Sequence, residues 1–293
     1  MTLRIPGRVL ELEPGRPLLM GVVNASPESF SDGSEVADLA AQLRRALALT
    51  DQGADLIDVG GESGVTNAPP ISPEEEIERV VPLVERLAAD GITVSVDTWK
   101  APVAQAALAA GAAMINDVSG LRDPLIADAC GAAGASLVIM HTRAEPKHKE
   151  FPDYEDVVAD VAGFLKERIA LAAEHGLDEE HIVVDPGPDF AKTPAETVQV
   201  LGALSRLRDL GRPILLAASR KDFIGAITGR PPRERLAGTL AAVGEGVDLG
   251  ATILRVHDVE ATRDFLAVRA ALRGVVKVSE DLRLEEGLRR EGT

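Results

Sequence analysis

The apolar positions of this chain gather into eight short runs, each separated from the next by a stretch of helical period. The runs are Leu18 to Asn24, Asp55 to Glu62, Thr93 to Thr98, Met114 to Ser119, Ser136 to His141, Ile182 to Gly187, Pro213 to Ser219 and Thr252 to His257. In the seventh, Ile214 to Ala218 are apolar without alternation and lead straight into Ser219, Arg220 and Lys221. That is the pattern of a strand buried on both faces, as in a parallel sheet, with its first polar groups at its C-terminal end. A Gly-Ala step precedes four runs, at Gly53, Gly111, Gly134 and Gly250, as expected where a helix ends in a glycine and turns into the next strand.

The segments between the runs carry explicit helix starts. Ser72, Pro73 and Glu75 supply an N-cap, a proline at the first helical position and a capping-box glutamate, and Ile77, Val80, Val81, Val84 and Leu87 then mark one face. Thr193, Pro194 and Glu196 repeat the device, and Val158, Val161, Leu165, Ile169 and Ala172 line a longer amphipathic helix. Eight strands alternating with eight helices, without a linker, predict one α/β domain over residues 1–274, a single (β/α)8 TIM barrel. Residues 275–293 read as a charged C-terminal tail, a frayed helix or a disordered end. An open doubly wound sheet would be expected to show a G-x-G-x-x-G after a strand, and none occurs.

Composition narrows the partners. With 47 acidic against 31 basic residues the net charge is −16, which argues against broad nucleic-acid or anionic-membrane binding and means that an anionic substrate must be held by a few local cations. The single cysteine, Cys130, excludes an internal disulfide. Met1 to Leu19 has no apolar core of a signal peptide, and the longest uncharged stretch, Ala101 to Asn116, is too short to span a bilayer, so a cytoplasmic protein without membrane contact is expected. Barrels of this size commonly pair through their outer helices, and a homodimer is the matching expectation.

Chemistry in such a barrel is built at the C-terminal rim, and the strand ends deliver polar groups there: Asn24, Asp58, Glu62, Asp97, Asn116, Asp117, His141, Asp185, Lys221, Arg255 and His257. Any one of the Asp or Asn residues could serve only as a helix N-cap; the set is better explained as a site. Asp97, Asn116, Asp185 and Lys221 suit a flat heterocycle with N–H donors on one edge and acceptors on the other, such as a 2-amino-4-oxopyrimidine. Asn24, Arg255 and His257 suit phosphate or diphosphate oxygens, with Mg²⁺ as the expected companion, held by few protein ligands and several waters.

Seven segments, in order, resemble the dihydropteroate synthase family. They are Asn24 to Gly33, Asp58 to Ser63, Ser95 to Lys100, Ile115 to Asp117, Asp185 to Gly187, Ser219 to Lys221 and Arg255 to His257. The resemblance implies a transferase of folate biosynthesis that joins 7,8-dihydropterin-6-ylmethyl diphosphate to p-aminobenzoate, releasing diphosphate and making 7,8-dihydropteroate. It assigns the pterin to Asp97, Asn116, Asp185, Lys221 and Phe190, and the diphosphate to Asn24, Arg255 and His257. Of these it makes Lys221, Asp97 and Asn24 the catalytic group, with Asn24 also on Mg²⁺. Phe30 and Asp32 fall in the loop expected to close over the site, and Thr66 and Asp222 on the acceptor side.

The chain departs from the family pattern in three places. The second loop, Ser63 to Pro70, is longer and lacks the family's arginine; Asp222 stands where serine is usual beside the acceptor carboxylate; and Asp189 and Ala191 replace glycines around Phe190. Weaker or altered acceptor use is the resulting expectation. Two alternatives stay open: a divergent pterin-binding paralogue without this catalysis, and a pterin-dependent methyltransferase, which would have no use for Arg255 and His257 as a diphosphate pair. His141 reads equally as a ligand contact or a hydrogen-bonded histidine. Trp99 and Met140 read as packing, Lys147 and Lys149 as a solvated loop, and Glu74, Glu75 and Glu76 as a helix start favourable to the dipole.

Overall fold

The computed structural model describes residues 1–25, 35–62, 69–286 and 289. Eight parallel strands form the central sheet: β3 (Leu18–Asn24), β4 (Leu56–Gly60), β5 (Val94–Asp97), β6 (Met114–Asp117), β7 (Ser136–Met140), β8 (Ile182–Asp185), β9 (Leu215–Leu216) and β10 (Ile253–Val256). The order is β8-β7-β6-β5-β4-β3-β10-β9, and a parallel bridge between Val184 and Ile214 joins the two ends into a barrel. The seventh expected run is the shortest strand, because Pro213 has no N–H to give to a ladder and Ser219 to Lys221 already turn towards the next helix.

Helices α1 (Glu35–Asp51), α2 (Pro73–Ala89), α3 (Ala101–Ala109), α4 (Leu125–Ala133), α5 (Val157–Glu174), α6 (Pro194–Gly202), α7 (Asp222–Thr228), α8 (Leu236–Asp248) and α9 (Val259–Leu272) pack outside the strands. Two of the expected caps form as read. The Ser72 hydroxyl accepts from Glu75 N–H at the head of α2, and Thr193 and Glu196 close a reciprocal capping box on α6. The main core lies between sheet and helices, where Val80, Leu83, Val84 and Leu87 of α2 are wholly buried.

A hairpin not foreseen from the sequence precedes the barrel. Strands β1 (Thr2–Ile5) and β2 (Arg8–Glu11) pair antiparallel around Pro6-Gly7, with Gly7 at φ +73°. Its alternation puts Leu3 and Ile5 inward, and Leu3 joins Leu12, Met20, Leu56, Met114, Val138, Val183, Leu215 and Ile253 in a second, smaller core filling the barrel interior. The Ser136 hydroxyl donates to Arg4 O, Arg8 donates to Thr93, and Arg4 pairs with Glu180, so the hairpin is stitched across the N-terminal end of the barrel. Residues 275–286 beyond α9 are almost entirely exposed and form neither α-helix nor strand.

Candidate active site

The opposite end of the barrel is open and polar. A cavity of about 450 Å³ is lined by Asn24, Asp97, Asn116, Asp185, Phe190, Lys221, Asp222, Arg255 and His257, so one space gathers nearly every predicted site residue that the structure describes. Phe30, Asp32 and Thr66 lie outside the described residues.

Four strands supply the floor of that cavity. Arg255, on β10, donates from Nε to Asp58 Oδ2 at 2.6 Å and from Nη2 to Asp97 Oδ2 at 2.9 Å, bridging carboxylates from β4 and β5. Asn116, on β6, donates Nδ2–H to the same Asp58 oxygen at 3.3 Å. Its Oδ1, and Asp58 Oδ1, are buried without a hydrogen-bond partner. A buried acceptor left open costs stability, and a ligand with N–H donors would satisfy it. Asp58 therefore acts as the internal anchor of the set, a role that its place among the strand-end residues did not reveal.

Burial decides the protonation of these groups. Desolvation pushes Asp97 up to about 7 against the opposing pull of Arg255, and pushes Asp185 up to about 6 although Gly187 N–H donates to its Oδ1 at 2.7 Å. Both carboxyls thus sit near the point of giving up a proton at neutral pH. Lys221 is lowered by burial, opposed chiefly by Asp189 and Asp185, and its Nζ stands 4.2 Å from the centre of the Phe190 ring. His257 is lowered to about 4, first by burial and then by Arg255 and Arg220, so it is neutral at pH 7. Ser219 Oγ accepts from His257 N–H at 3.3 Å and lies 3.0 Å from Nδ1; a hydroxyl donating to Nδ1 leaves the ring proton on Nε2.

Several residues sit differently from expectation. Arg220 is committed to Asp258 through two bonds of 3.1 and 2.6 Å, leaving Lys221 as the cation this tripeptide offers to the cavity floor. Asp222 is 70% exposed along its side chain and accepts from Arg235 Nη1 at 3.1 Å, so its charge is met from α8's start rather than facing the cavity alone. Asp189 accepts from Phe223 N–H at 3.2 Å and pairs with the Thr197 hydroxyl, tying the Phe190 turn to α7 and α6. His141 resolves as a hydrogen-bonded histidine: buried, 2.8 Å from Asp160 Oδ1 and 2.7 Å from Lys192 Nζ, and lowered to about 3 by burial and then by Lys192.

Two readings are corrected. Lys147 does not belong to a solvated loop; only 8% of its side chain is exposed, and its Nζ donates to Glu62 Oε1 at 2.6 Å and to Pro69 O at 3.2 Å. Glu76 is not merely a dipole partner at the head of α2. It is wholly buried and accepts from Lys100 Nζ at 2.7 Å, and the same ammonium reaches Glu62 Oε2 at 2.7 Å. Glu76, Lys100, Glu62 and Lys147 form a charge-balanced chain under the rim, and partners 24 to 85 positions apart in sequence explain why no local pattern disclosed it. Lys192 was also missed, since in Ala191-Lys192-Thr193 nothing distinguishes it from a surface lysine.

A family profile described as pterin binding enzyme matches residues 20–257. The chain is 42% identical over 247 residues to the dihydropteroate synthase of Bacillus subtilis, covering 84% of this chain and 85% of that protein, and 39% identical over 261 residues to that of Synechocystis sp., covering 88% and 90%. Among solved structures, dihydropteroate synthase of Xanthomonas albilineans with 4-aminobenzoic acid superposes with a TM-score of 0.87 at 45% identity, over 94% of this chain and all of that one. The same enzyme in complex with 7,8-dihydropteroate gives 0.83 at 45% identity, over 93% and 100%. Shared barrel, shared rim and this degree of identity place the chain in the pterin-binding enzyme family, among the dihydropteroate synthases.

Proposed function

We propose that the rim cavity condenses 7,8-dihydropterin-6-ylmethyl diphosphate with p-aminobenzoate, giving 7,8-dihydropteroate and diphosphate, and that Asp97, Asn116, Asp185 and Lys221 receive the pterin. The observation that carries this assignment is the buried, unpartnered Oδ1 of Asn116 in the same cavity as two carboxyls that ionise near neutrality. Together they present acceptors to the N–H edge of an aminopyrimidinone, with Lys221 as the donor. Phe190 offers a ring face nearby.

The chemistry then follows from electrostatics. As the C–O bond to diphosphate breaks, negative charge grows on the leaving oxygens; Arg255 has one guanidinium nitrogen not engaged by Asp58 or Asp97, and His257 offers Nε2–H. The amine of p-aminobenzoate attacks the methylene carbon, positive charge there being delocalised into the pterin, and the arylammonium so formed gives up one proton to the departing diphosphate or to water. Positioning and charge stabilisation carry the step, with no covalent enzyme intermediate. Asn24 supplies an exposed amide oxygen at the rim, and among the described residues no three His, Cys, Asp or Glu side chains are placed to hold a metal. That donor set fits Mg²⁺ brought in on diphosphate oxygens rather than one held by protein alone. When bound, the ion would neutralise charge on the leaving group.

The retention of Arg255 and His257 beside the pterin set favours this reading over a methyltransferase. The test is diphosphate release from the purified protein given the pterin diphosphate and Mg²⁺, with and without p-aminobenzoate. Release that depends on p-aminobenzoate and a product with the mass of dihydropteroate are expected; pterin binding without that product would refute the synthase assignment. The protein is further proposed to work in the cytoplasm; no described helix is long and apolar enough to cross a membrane. It is also proposed to pair through outer helices, where α9 exposes Val268 and Leu272, giving twice the chain mass in sedimentation.

A further inference from the structure

Among the described residues Lys192 is the largest fully buried side chain, 1% exposed, and no carboxylate forms an ion pair with it. An isolated buried ammonium is expensive unless its hydrogens are placed. Here they are. Lys192 Nζ donates to Gly187 O at 3.0 Å and Phe190 O at 3.0 Å, lies 2.7 Å from His141 Nδ1, and reaches His141 O at 3.4 Å. Two of these acceptors are the first and last carbonyls of the turn that carries Phe190, itself closed by Phe190 N–H on Gly187 O at 3.1 Å.

That turn does not hold its shape by intrinsic preference. Gly187 and Asp189 within it, and Ala191 directly after it, have left-handed φ, at +63°, +65° and +50°, a strained conformation for the two non-glycine residues. The turn is also pressed against the chain just past β7: a Cβ on Gly187 would clash with His141 O. From the other side the Tyr154 hydroxyl donates to Ala191 O at 2.8 Å. Phe190 in turn lies under Lys221. The chain of contact runs from Lys192 through the Gly187–Phe190 turn to the ring and ammonium at the floor of the cavity.

We infer that Lys192 is a positioning residue of the pterin subsite, its ammonium pinning the strained Gly187–Phe190 turn onto the end of β7 so that Phe190 and Lys221 face the heterocycle. The titratable groups that act on it are His141, in contact, and Asp185, Lys221, Asp160 and Asp189; burial is the first cause that lowers Lys192, to about 7, and Asp185 is the first that opposes it. Asp185 favours the charged form from a distance without pairing with it, and the hydrogen bonds to Gly187 O and Phe190 O fix where the ammonium sits.

The inference rests on the pterin assignment, and the test separates the two. Lys192→Met keeps the bulk of the side chain and removes the donors. In calorimetry with the pterin diphosphate, the wild-type protein is the control for the assignment itself, and the variant is expected to bind at least tenfold more weakly. The KM for p-aminobenzoate should stay within about twofold; a role only in folding would instead lower the active fraction and leave both substrates' constants unchanged. Without any ligand, hydrogen exchange across residues 186–192 should accelerate in the variant while the other barrel strands keep wild-type protection. Should Lys192→Met fail to fold, His141→Gln, whose amide can keep the Asp160 partner of Nε2 while the Nδ1 acceptor facing Lys192 is lost, is expected to weaken the pterin about threefold. Wild-type pterin affinity or wild-type exchange at the turn, in whichever variant folds, overturns the proposal.

Discussion

The two ends of the barrel solve opposite problems with the same eight strands. At the N-terminal end the lumen is filled by Leu3, Met20, Leu56, Met114, Val138, Val183, Leu215 and Ile253, and a hairpin seals it. At the C-terminal end the strands finish in Asp58, Asp97, Asn116, Asp185 and Arg255, with buried oxygens left unpartnered and carboxyls lifted towards neutrality. One end is built to lower the free energy of the fold. The other holds groups that folding alone would not choose, which is the usual trade between stability and a site prepared for a ligand. Mutations should therefore separate the ends cleanly, activity falling at the top and stability at the bottom.

The largest separation is expected at Asp185. Asp185→Asn keeps an oxygen for Gly187 N–H but removes the carboxylate, and kcat/KM should fall by about 10²–10³, roughly 3–4 kcal/mol of transition-state stabilisation, with an unchanged or raised melting temperature. Its pH behaviour gives the sign. The folded protein holds this proton up to about pH 6 whereas an unfolded aspartate releases it near 4, so between those values the folded state binds more protons and loses stability as pH rises. Chemical denaturation from pH 4 to 7 should show that decline in the wild type and less of it in Asp185→Asn. An equal pH slope in both would mean that burial at the rim does not strain this carboxyl.

Next comes the sealed end. Leu3→Ala leaves a cavity beneath the strands and is expected to lower stability by about 2–5 kcal/mol in urea titration while KM for both substrates holds. A large change in kcat at temperatures where the variant is fully folded would show that the ends are coupled after all. The smallest effect is expected at Asp222. Because Arg235 already meets its charge and the side chain is mostly exposed, Asp222→Ser should lower the KM for p-aminobenzoate and the inhibition constant of a sulfonamide by only a few fold, within about 1 kcal/mol. A change of a hundredfold would place Asp222 directly against the acceptor.

The open end was the more legible of the two in the sequence. Strands buried on both faces and rim residues in register with their C-terminal ends can be read from runs and motifs, and Asp97, Asn116, Asp185, Lys221, Arg255 and His257 do line one cavity. The hairpin escaped because four-residue strands interrupted by Arg4, Arg8 and Glu11 show too short an alternation to stand out, although Leu3 and Ile5 face inward as period two requires. Lys147 and Lys192 escaped for a different reason. Local sequence marks both as loop lysines, and their burial comes from Glu62 and His141, 85 and 51 positions away. The departure at Asp222 was visible, but its consequence depended on Arg235, thirteen residues further on.

The hairpin across the N-terminal end also governs traffic. A barrel stopped at the bottom has a single doorway, so every molecule that enters must leave by the route it came in. Asn116 and Asp185 lie deep in that dead end, Asp97 is part-buried above them, and Asn24 stands exposed at its threshold. Whatever occupies the deep seats is the first to arrive and the last to go, and the occupant nearest the door sets how long it must wait.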